Sequence, residues 1–79
     1  MNETLQLINV LNVVLATIDY KIVDATKDCL RIAIDDKKFR ISIESLSVEE
    51  YHDSLLVNTL EARLLERLIK FMYTKLKEE

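Results

Sequence analysis

The chain has 79 residues and contains neither glycine nor proline, and its 14 acidic and 11 basic residues give a formal charge of -3. Phosphate-binding loops, dinucleotide-binding turns and nucleophile elbows need glycine for their backbone geometry, so these enzyme classes are excluded. The negative charge argues against binding of nucleic acid through bulk charge. A domain of this length buries only about 60% of its unfolded surface, so its core is small and self-association is expected.

Cysteine content and hydropathy indicate the cellular compartment. The single cysteine, Cys29, cannot form an intramolecular disulfide, whereas small secreted domains usually carry several. An uncharged run over residues 4–18 is too short to cross about 30 Å of hydrocarbon, and Gln6, Asn9 and Asn12 interrupt it. We therefore expect a cytoplasmic protein with no membrane association. The chain has no repeat and no linker-like segment, which indicates one domain over residues 1–79.

The first predicted element is an amphipathic helix over residues 2–18. At about 100° per residue, Leu7, Leu11 and Leu15 gather on one side of it and most of the polar residues on the other. A cluster of β-branched valines lowers the helix propensity of the second half, so a strand there is the alternative. The one-sided distribution of polar residues favours the helix.

Between residues 20 and 45, apolar and polar positions alternate with the period of a β-strand. Registers that set Ile34 opposite Phe39 and Ile22 opposite Leu30 keep the apolar side chains on one face. The side chains on that face are Tyr20, Ile22, Leu30, Ile32, Ile34, Phe39, Ile41 and Ile43. The alternation predicts a three-stranded antiparallel β-meander.

The second turn of this meander is predicted at Asp36 and Lys37. Tight hairpin turns contain residues with positive φ, which glycine usually supplies. In a chain without glycine these positions must be taken by Asp, Lys or Thr, at a cost on the order of 1 kcal/mol each. Aspartate is expected to carry the lowest cost.

Two helix-start signals follow the meander. Ser47 and Asn58 are each followed three residues later by a glutamate, which is the pattern of a capping box. These signals predict a short helix over residues 48–56 and a long C-terminal helix over residues 59–77. The expected fold is therefore an α+β domain of order α-β-β-β-α-α.

The long predicted helix carries an apolar arc of about 220°. A helix that lies on one sheet needs about half of that arc, so the rest is expected to contact a second copy of the chain or another protein. The residues expected at this protein interface are Leu65, Ile69, Met72, Tyr73 and Leu76. The first functional hypothesis is therefore a non-enzymatic protein-interaction module that forms a homodimer.

Two groups of basic residues give the alternative hypothesis, a small dimeric regulator that binds nucleic acid. The possible contacts are Arg63, Arg67 and Lys70 on the long helix, and Lys21, Arg31 and Arg40 on the outer face of the sheet. Glu66 lies within the helical group and pairs with Lys70 at i, i+4 spacing. The sheet group lacks the interleaved aromatic side chains on which bases stack. Solvated surfaces are the favoured interpretation of both groups.

Catalytic and metal sites can be tested exhaustively, because the chain has one histidine and one cysteine. The consecutive residues His52, Asp53 and Ser54 would point in different directions on a helix and do not form a triad. Cys29 and His52 are expected on different sides of the sheet. No further His or Cys is present to complete a zinc site. We predict no enzymatic activity, no cofactor and no metal.

The predicted order of elements resembles one known family. Asp19-Tyr20-Lys21 at the entry to the first strand and Leu30-Arg31-Ile32-Ala33-Ile34 in the second are similar to stretches of small phage anti-CRISPR proteins, over about residues 8–60. These proteins inhibit the RNA-guided nuclease at its PAM-reading site. The resemblance implies a viral inhibitor or regulator that binds a host or defence protein. The chain departs from the dense acidic surface of such DNA mimics, so no functional residue is carried over.

Overall fold

The computed structural model describes residues 2–78, which form two helices and a five-stranded antiparallel sheet. The elements are α1 Glu3–Val14, β1 Lys21–Ala25, β2 Cys29–Ile34, β3 Lys37–Ser42, β4 Val48–His52, β5 Leu55–Val57 and α2 Leu60–Glu78. The strands lie in the sheet in chain order, β1-β2-β3-β4-β5. The α+β class, the N-terminal helix and the C-terminal helix are confirmed. The predicted three-stranded meander undercounts the sheet by two strands.

Helix α1 begins at Glu3, one residue after its predicted start, and Asn2 caps it. The side-chain oxygen of Asn2 accepts hydrogen bonds from the backbone N–H groups of Thr4 and Leu5, which satisfies two donors that the first turn leaves free. The helix ends at Val14 and a turn follows, so it is shorter than the predicted span to residue 18.

The hydrophobic core lies on one face of the sheet, beneath both helices. Helix α1 packs against α2, and α2 packs against β4. The buried members of the core are Leu7, Val10, Leu11, Leu15, Leu30, Ile32, Phe39, Ile41, Ile43, Val48, Ala62, Leu65 and Ile69. Burial of these side chains is the main stabilising contribution to the fold.

The β2–β3 hairpin has a different register from the predicted one. Ile34 lies opposite Lys37 and Ile32 lies opposite Phe39, because the turn consists of Asp35 and Asp36. The predicted pairing of Ile34 with Phe39 is therefore wrong. Moving a two-residue turn by one position shifts the pairing by two residues, which leaves every side chain on its original face. Alternation alone therefore cannot distinguish the two registers.

Strand β1 also departs from its predicted position. Ile22 pairs with Ile32 and not with Leu30, and the register shifts between Ile22 and Asp24, which places a β-bulge at Val23. All five residues of β1 are exposed, and Ile22 is 44% exposed rather than in the core.

The segment predicted as a short helix over residues 48–56 is the β4–β5 hairpin. Val48 and Glu50 point towards the core and are buried, while Glu49 and Tyr51, which alternate with them, are partly exposed. The alternation was obscured because a glutamate occupies an inward position, where an apolar residue is the usual signal. The predicted capping box at Ser47 is therefore not a helix start.

Helix α2 begins one residue after its predicted start. The side-chain oxygen of Thr59 accepts a hydrogen bond from the backbone N–H of Ala62 at 3.2 Å, and its carbonyl accepts one from Arg63 at 3.0 Å. Thr59, and not the predicted Asn58, therefore caps the helix.

Within residues 2–78, three residues adopt positive φ: Asp35 at 55°, Leu46 at 60° and Asp53 at 59°. Asp35 and Asp53 each occupy the first position of a two-residue hairpin turn. Aspartate therefore takes positive-φ positions that glycine usually supplies, but neither residue belongs to a turn that the sequence predicted. Leu46, in the loop after β3, was not expected to adopt this conformation, which costs about 1–2 kcal/mol for a residue with a Cβ.

Candidate protein-binding surface

One side of α2 exposes a line of large apolar side chains, which we call the apolar stripe. It consists of Leu60, Leu64, Leu68 and Phe71, which are 61%, 51%, 52% and 59% exposed. At about 100° per residue these four positions fall within about 80° of the helix surface, and they face away from Leu65 and Ile69 in the core. Soluble monomers rarely expose a contiguous apolar surface of this kind.

The residues predicted for the protein interface lie mostly on the opposite side of α2. Leu65 is 6% exposed and Ile69 is fully buried, so both belong to the core. Met72 and Tyr73 are partly buried against the same cluster, and Leu76 is 36% exposed near the helix end. The predicted apolar arc included both sides of the helix, and its width could not show which half the sheet and α1 would cover. Part of the apolar surface of α2 does stay exposed, but the residues of the apolar stripe form it.

A groove of about 350 Å³ adjoins the apolar stripe. Its apolar walls are Leu15, Ile34, Phe39, Leu64, Leu65 and Leu68, and its charged residues are Asp35, Asp36, Lys37 and Glu61. The groove joins the start of α2 to the β2–β3 turn, since both elements contribute to it. The stripe and the groove share Leu64 and Leu68 and therefore form one continuous apolar surface.

Opposite charges border the two sides of this surface. Asp35, Asp36 and Glu61 form what we call the acidic rim, beside the groove. Lys37 is the one cation among the groove residues, and its Nζ lies 3.6 Å from a carboxylate oxygen of Glu61. A hydrogen bond from its own backbone N–H, followed by the charge of Lys37, lowers the pKa of Glu61 below its usual value.

The other side of the stripe carries Arg63 and Arg67, which we call the basic flank. Both are exposed, and neither forms an ion pair within residues 2–78. Lys70, the third member of the predicted helical group, lies 3.1 Å from a carboxylate oxygen of Glu66. Glu66 also accepts a hydrogen bond from the backbone N–H of Val48 at 2.9 Å, which is the main reason its pKa is lowered. The two arginines are therefore the members of the group that are free to bind a partner.

Two basic residues of the sheet, Arg31 and Arg40, are neutralised by acids on the neighbouring strands. Asp24, Arg31, Arg40 and Glu49 lie opposite one another across β1 to β4. The ion pair between Arg31 and Asp24 measures 2.7 Å and that between Arg40 and Glu49 measures 3.6 Å. Lys21 lies opposite Ala33, apart from this row. This row holds two acids and two bases, so it has no excess of positive charge for a phosphate backbone.

A polar cluster beside the start of α2 contains the single histidine. Glu50 is 5% exposed, and its carboxylate accepts a hydrogen bond from the Thr59 hydroxyl at 2.7 Å and lies 3.3 Å from Nε2 of His52. Cys29 is buried at the other end of the sheet, beside the hydroxyl of Thr26. Cys29 and His52 are therefore not brought together. The Glu50 cluster ties the β4–β5 hairpin to the start of α2.

Other features of the described residues bear on partners. Among residues 2–78, no group of three or more His, Cys, Asp or Glu side chains is arranged to hold a metal ion. No helix in the described part of the chain combines the length and the apolar composition that crossing a membrane requires. Of the two C-terminal helices that the resemblance to anti-CRISPR proteins used, the first is a hairpin.

Comparison of the chain with protein-family models, with curated proteins and with solved structures found no match. The geometry of the apolar stripe and its charged borders therefore carries the functional argument.

Proposed function

We propose that this protein is a non-enzymatic protein-interaction module that binds through the apolar stripe of α2. The carrying observation is that Leu60, Leu64, Leu68 and Phe71 lie on one side of the helix, and each is at least half exposed. Full burial of a large apolar side chain contributes about 1.5–3 kcal/mol, so a side chain that is already half buried contributes roughly half of that when an interface covers the rest. A partner that covers this surface would gain much of its binding energy from these four residues.

The occupant we propose is a second copy of the chain. The apolar surface is bordered by carboxylates on one side and by arginines on the other, so it is self-complementary in charge. Homodimers also bury the apolar surface that a small domain cannot cover by itself. This assignment retains the homodimer hypothesis but moves its interface from Leu65 and Ile69 to the opposite side of α2.

The test is the molar mass of the purified protein by sedimentation velocity between low and high micromolar concentration. The wild-type chain is expected to move from monomer to dimer in this range. Leu64→Asp places a carboxylate in the centre of the stripe, and we expect at least a tenfold loss of dimer affinity. Circular dichroism should show a folded protein, because Leu64 is 51% exposed and outside the core.

Leu5→Asp is the matched control, since Leu5 is 58% exposed but lies on α1. It should dimerise as the wild-type chain does. A wild-type chain that stays monomeric at every concentration, or a Leu64→Asp variant that dimerises normally, would contradict the proposal. In the first case the stripe would be left for a different protein or for nucleic acid, and binding of a short duplex at low salt would support the latter.

A further inference from the structure

We infer that the two copies pair with their α2 helices parallel, so that the basic flank of each copy contacts the acidic rim of the other. This inference rests on the proposed function, because it assumes that a second copy covers the apolar stripe. It goes beyond that function by assigning an orientation and a set of specificity-determining charges.

The charged residues around α2 lie on two different sides of the apolar stripe. Arg67 follows Leu64 by three residues and Glu61 precedes it by three, so they lie about 60° to either side of it. Arg63 lies about 100° from Leu64, on the same side as Arg67. Asp35 and Asp36 extend the rim on the side of Glu61, because they line the groove together with it.

The symmetry of a homodimer decides which borders meet. A two-fold axis parallel to the helices places the basic flank of one copy against the acidic rim of the other, and the contact occurs twice. An axis perpendicular to the helices places Arg63 and Arg67 against the same arginines of the second copy. Like charges at a contact cost free energy and opposite charges favour association, so the parallel arrangement is selected.

The composition of the rim supports this choice. Asp35, Asp36 and Glu61 contribute three carboxylates against the single ammonium of Lys37, which leaves a net negative charge to receive two arginines. Arg63 and Arg67 form no ion pair within residues 2–78, so no such contact has to be broken.

Lys75 continues the line of the stripe about 16 Å beyond Leu64. A crossing point near Leu64 keeps the two Lys75 side chains apart where the helices diverge.

A complementary pair of variants tests the charges. Arg63→Glu with Arg67→Glu makes both borders acidic, and Asp36→Lys with Glu61→Lys makes both predominantly basic. Asp35 is left unchanged because of its positive φ. Each variant alone is expected to lose at least tenfold in dimer affinity, while an equimolar mixture forms a heterodimer close to wild-type affinity. Lys21→Glu with Lys27→Glu, two exposed residues outside α2 and the groove, is the control and should dimerise normally.

Cross-linking tests the orientation independently, in a Cys29→Ser background. In a parallel dimer Leu60 of one chain lies close to Leu60 of the other. Leu60→Cys is therefore expected to give a disulfide-linked dimer under mild oxidation. In an antiparallel dimer Leu60→Cys would cross-link efficiently only with Phe71→Cys on the other chain. That second pattern, or charge variants that dimerise like the wild-type chain, overturns this inference and leaves the proposed function intact. A wild-type chain that is monomeric throughout overturns both.

Discussion

Two glutamates, one on strand β4 and one on helix α2, accept hydrogen bonds that connect these two elements. Glu50 on β4 accepts a hydrogen bond from Thr59, the residue that caps α2, and Glu66 on α2 accepts one from the backbone N–H of Val48 on β4. A buried carboxylate is costly unless its oxygens have partners, and both of these have them. These bonds therefore fix the position of α2 on the sheet, and with it the direction in which the apolar stripe points.

The Glu66 contact should make stability depend on pH. The hydrogen bond from Val48 lowers the pKa of Glu66 in the folded protein below its ordinary value of 4.5. The contribution of ionised Glu66 to the free energy of unfolding is therefore fully present above about pH 4.5. It is lost as the pH falls through the pKa of Glu66 in the folded protein. We expect the difference in unfolding free energy between wild type and Glu66→Gln, measured in urea, to be largest near neutral pH and to shrink below pH 4.5.

The matched control for this measurement is Glu44→Gln, which removes one carboxylate at an exposed position in the loop after β3. A difference between wild type and Glu66→Gln that is the same at pH 7 and pH 3 would show that the hydrogen bond does not stabilise the charged form.

For the strands, the sequence shows which face of the sheet a side chain occupies more reliably than which residues pair across two strands. The alternation of Leu30, Ile32 and Ile34 placed β2 on the core, since one face of a strand reads directly from a period of two. The pairing along β2 depended on which two residues form the turn, and a chain without glycine leaves no marker for it. The β4–β5 hairpin was hidden because Glu50 takes an inward position and Asp53 replaces the usual turn glycine.

The same limit applies to the candidate site. The width of the apolar arc on α2 indicated correctly that part of it stays uncovered. It could not indicate that Leu65 and Ile69 face the sheet while Leu64 and Leu68 face solvent, because all four are equally apolar. The acidic rim was not predicted at all, since the β2–β3 turn and α2 meet only in the folded chain.

The turn at Asp53 gives a direct measure of what the absence of glycine costs. Asp53 has a φ of 59°, a conformation that aspartate tolerates better than alanine and glycine adopts freely. We expect Asp53→Ala to lower the free energy of unfolding by about 1 kcal/mol, and Asp53→Gly to change it by less than that. Urea denaturation followed by circular dichroism measures both.

Ser54→Ala is the matched control for the turn, because Ser54 is the exposed second residue of the same β4–β5 turn and is not among the residues with positive φ. It should be tolerated better than Asp53→Ala. Equal effects of alanine and glycine at position 53 would show that backbone conformation does not limit the stability of this hairpin.

The ratio of buried core to exposed surface controls the stability of the molecule. A single layer of helices covers one face of the sheet, and thirteen buried side chains make up the core cluster. A chain of this size is only marginally stable by itself, and association that buries further apolar surface adds to its stability. Folding and dimerisation are therefore expected to be thermodynamically linked.

This linkage predicts a thermal midpoint that depends on concentration. The Tm of the wild-type chain should rise by several degrees between about 5 μM and 500 μM, because mass action favours the dimer over unfolded monomers. The Tm of Leu64→Asp should stay constant over the same range. Differential scanning calorimetry at both concentrations measures this, and a wild-type Tm independent of concentration would contradict it.

The two edge strands of the sheet, β1 and β5, affect how readily the protein aggregates. An unpaired strand edge is a template for adding strands of other chains, which leads to aggregation. At one edge, the bulge at Val23 and the charged residues Lys21 and Asp24 make β1 irregular and unsuited to continuous pairing. At the other edge, β5 has only three residues, so it offers few backbone groups to an incoming strand. The chain can therefore expose an apolar helix to a specific partner while its sheet resists growth into a fibril.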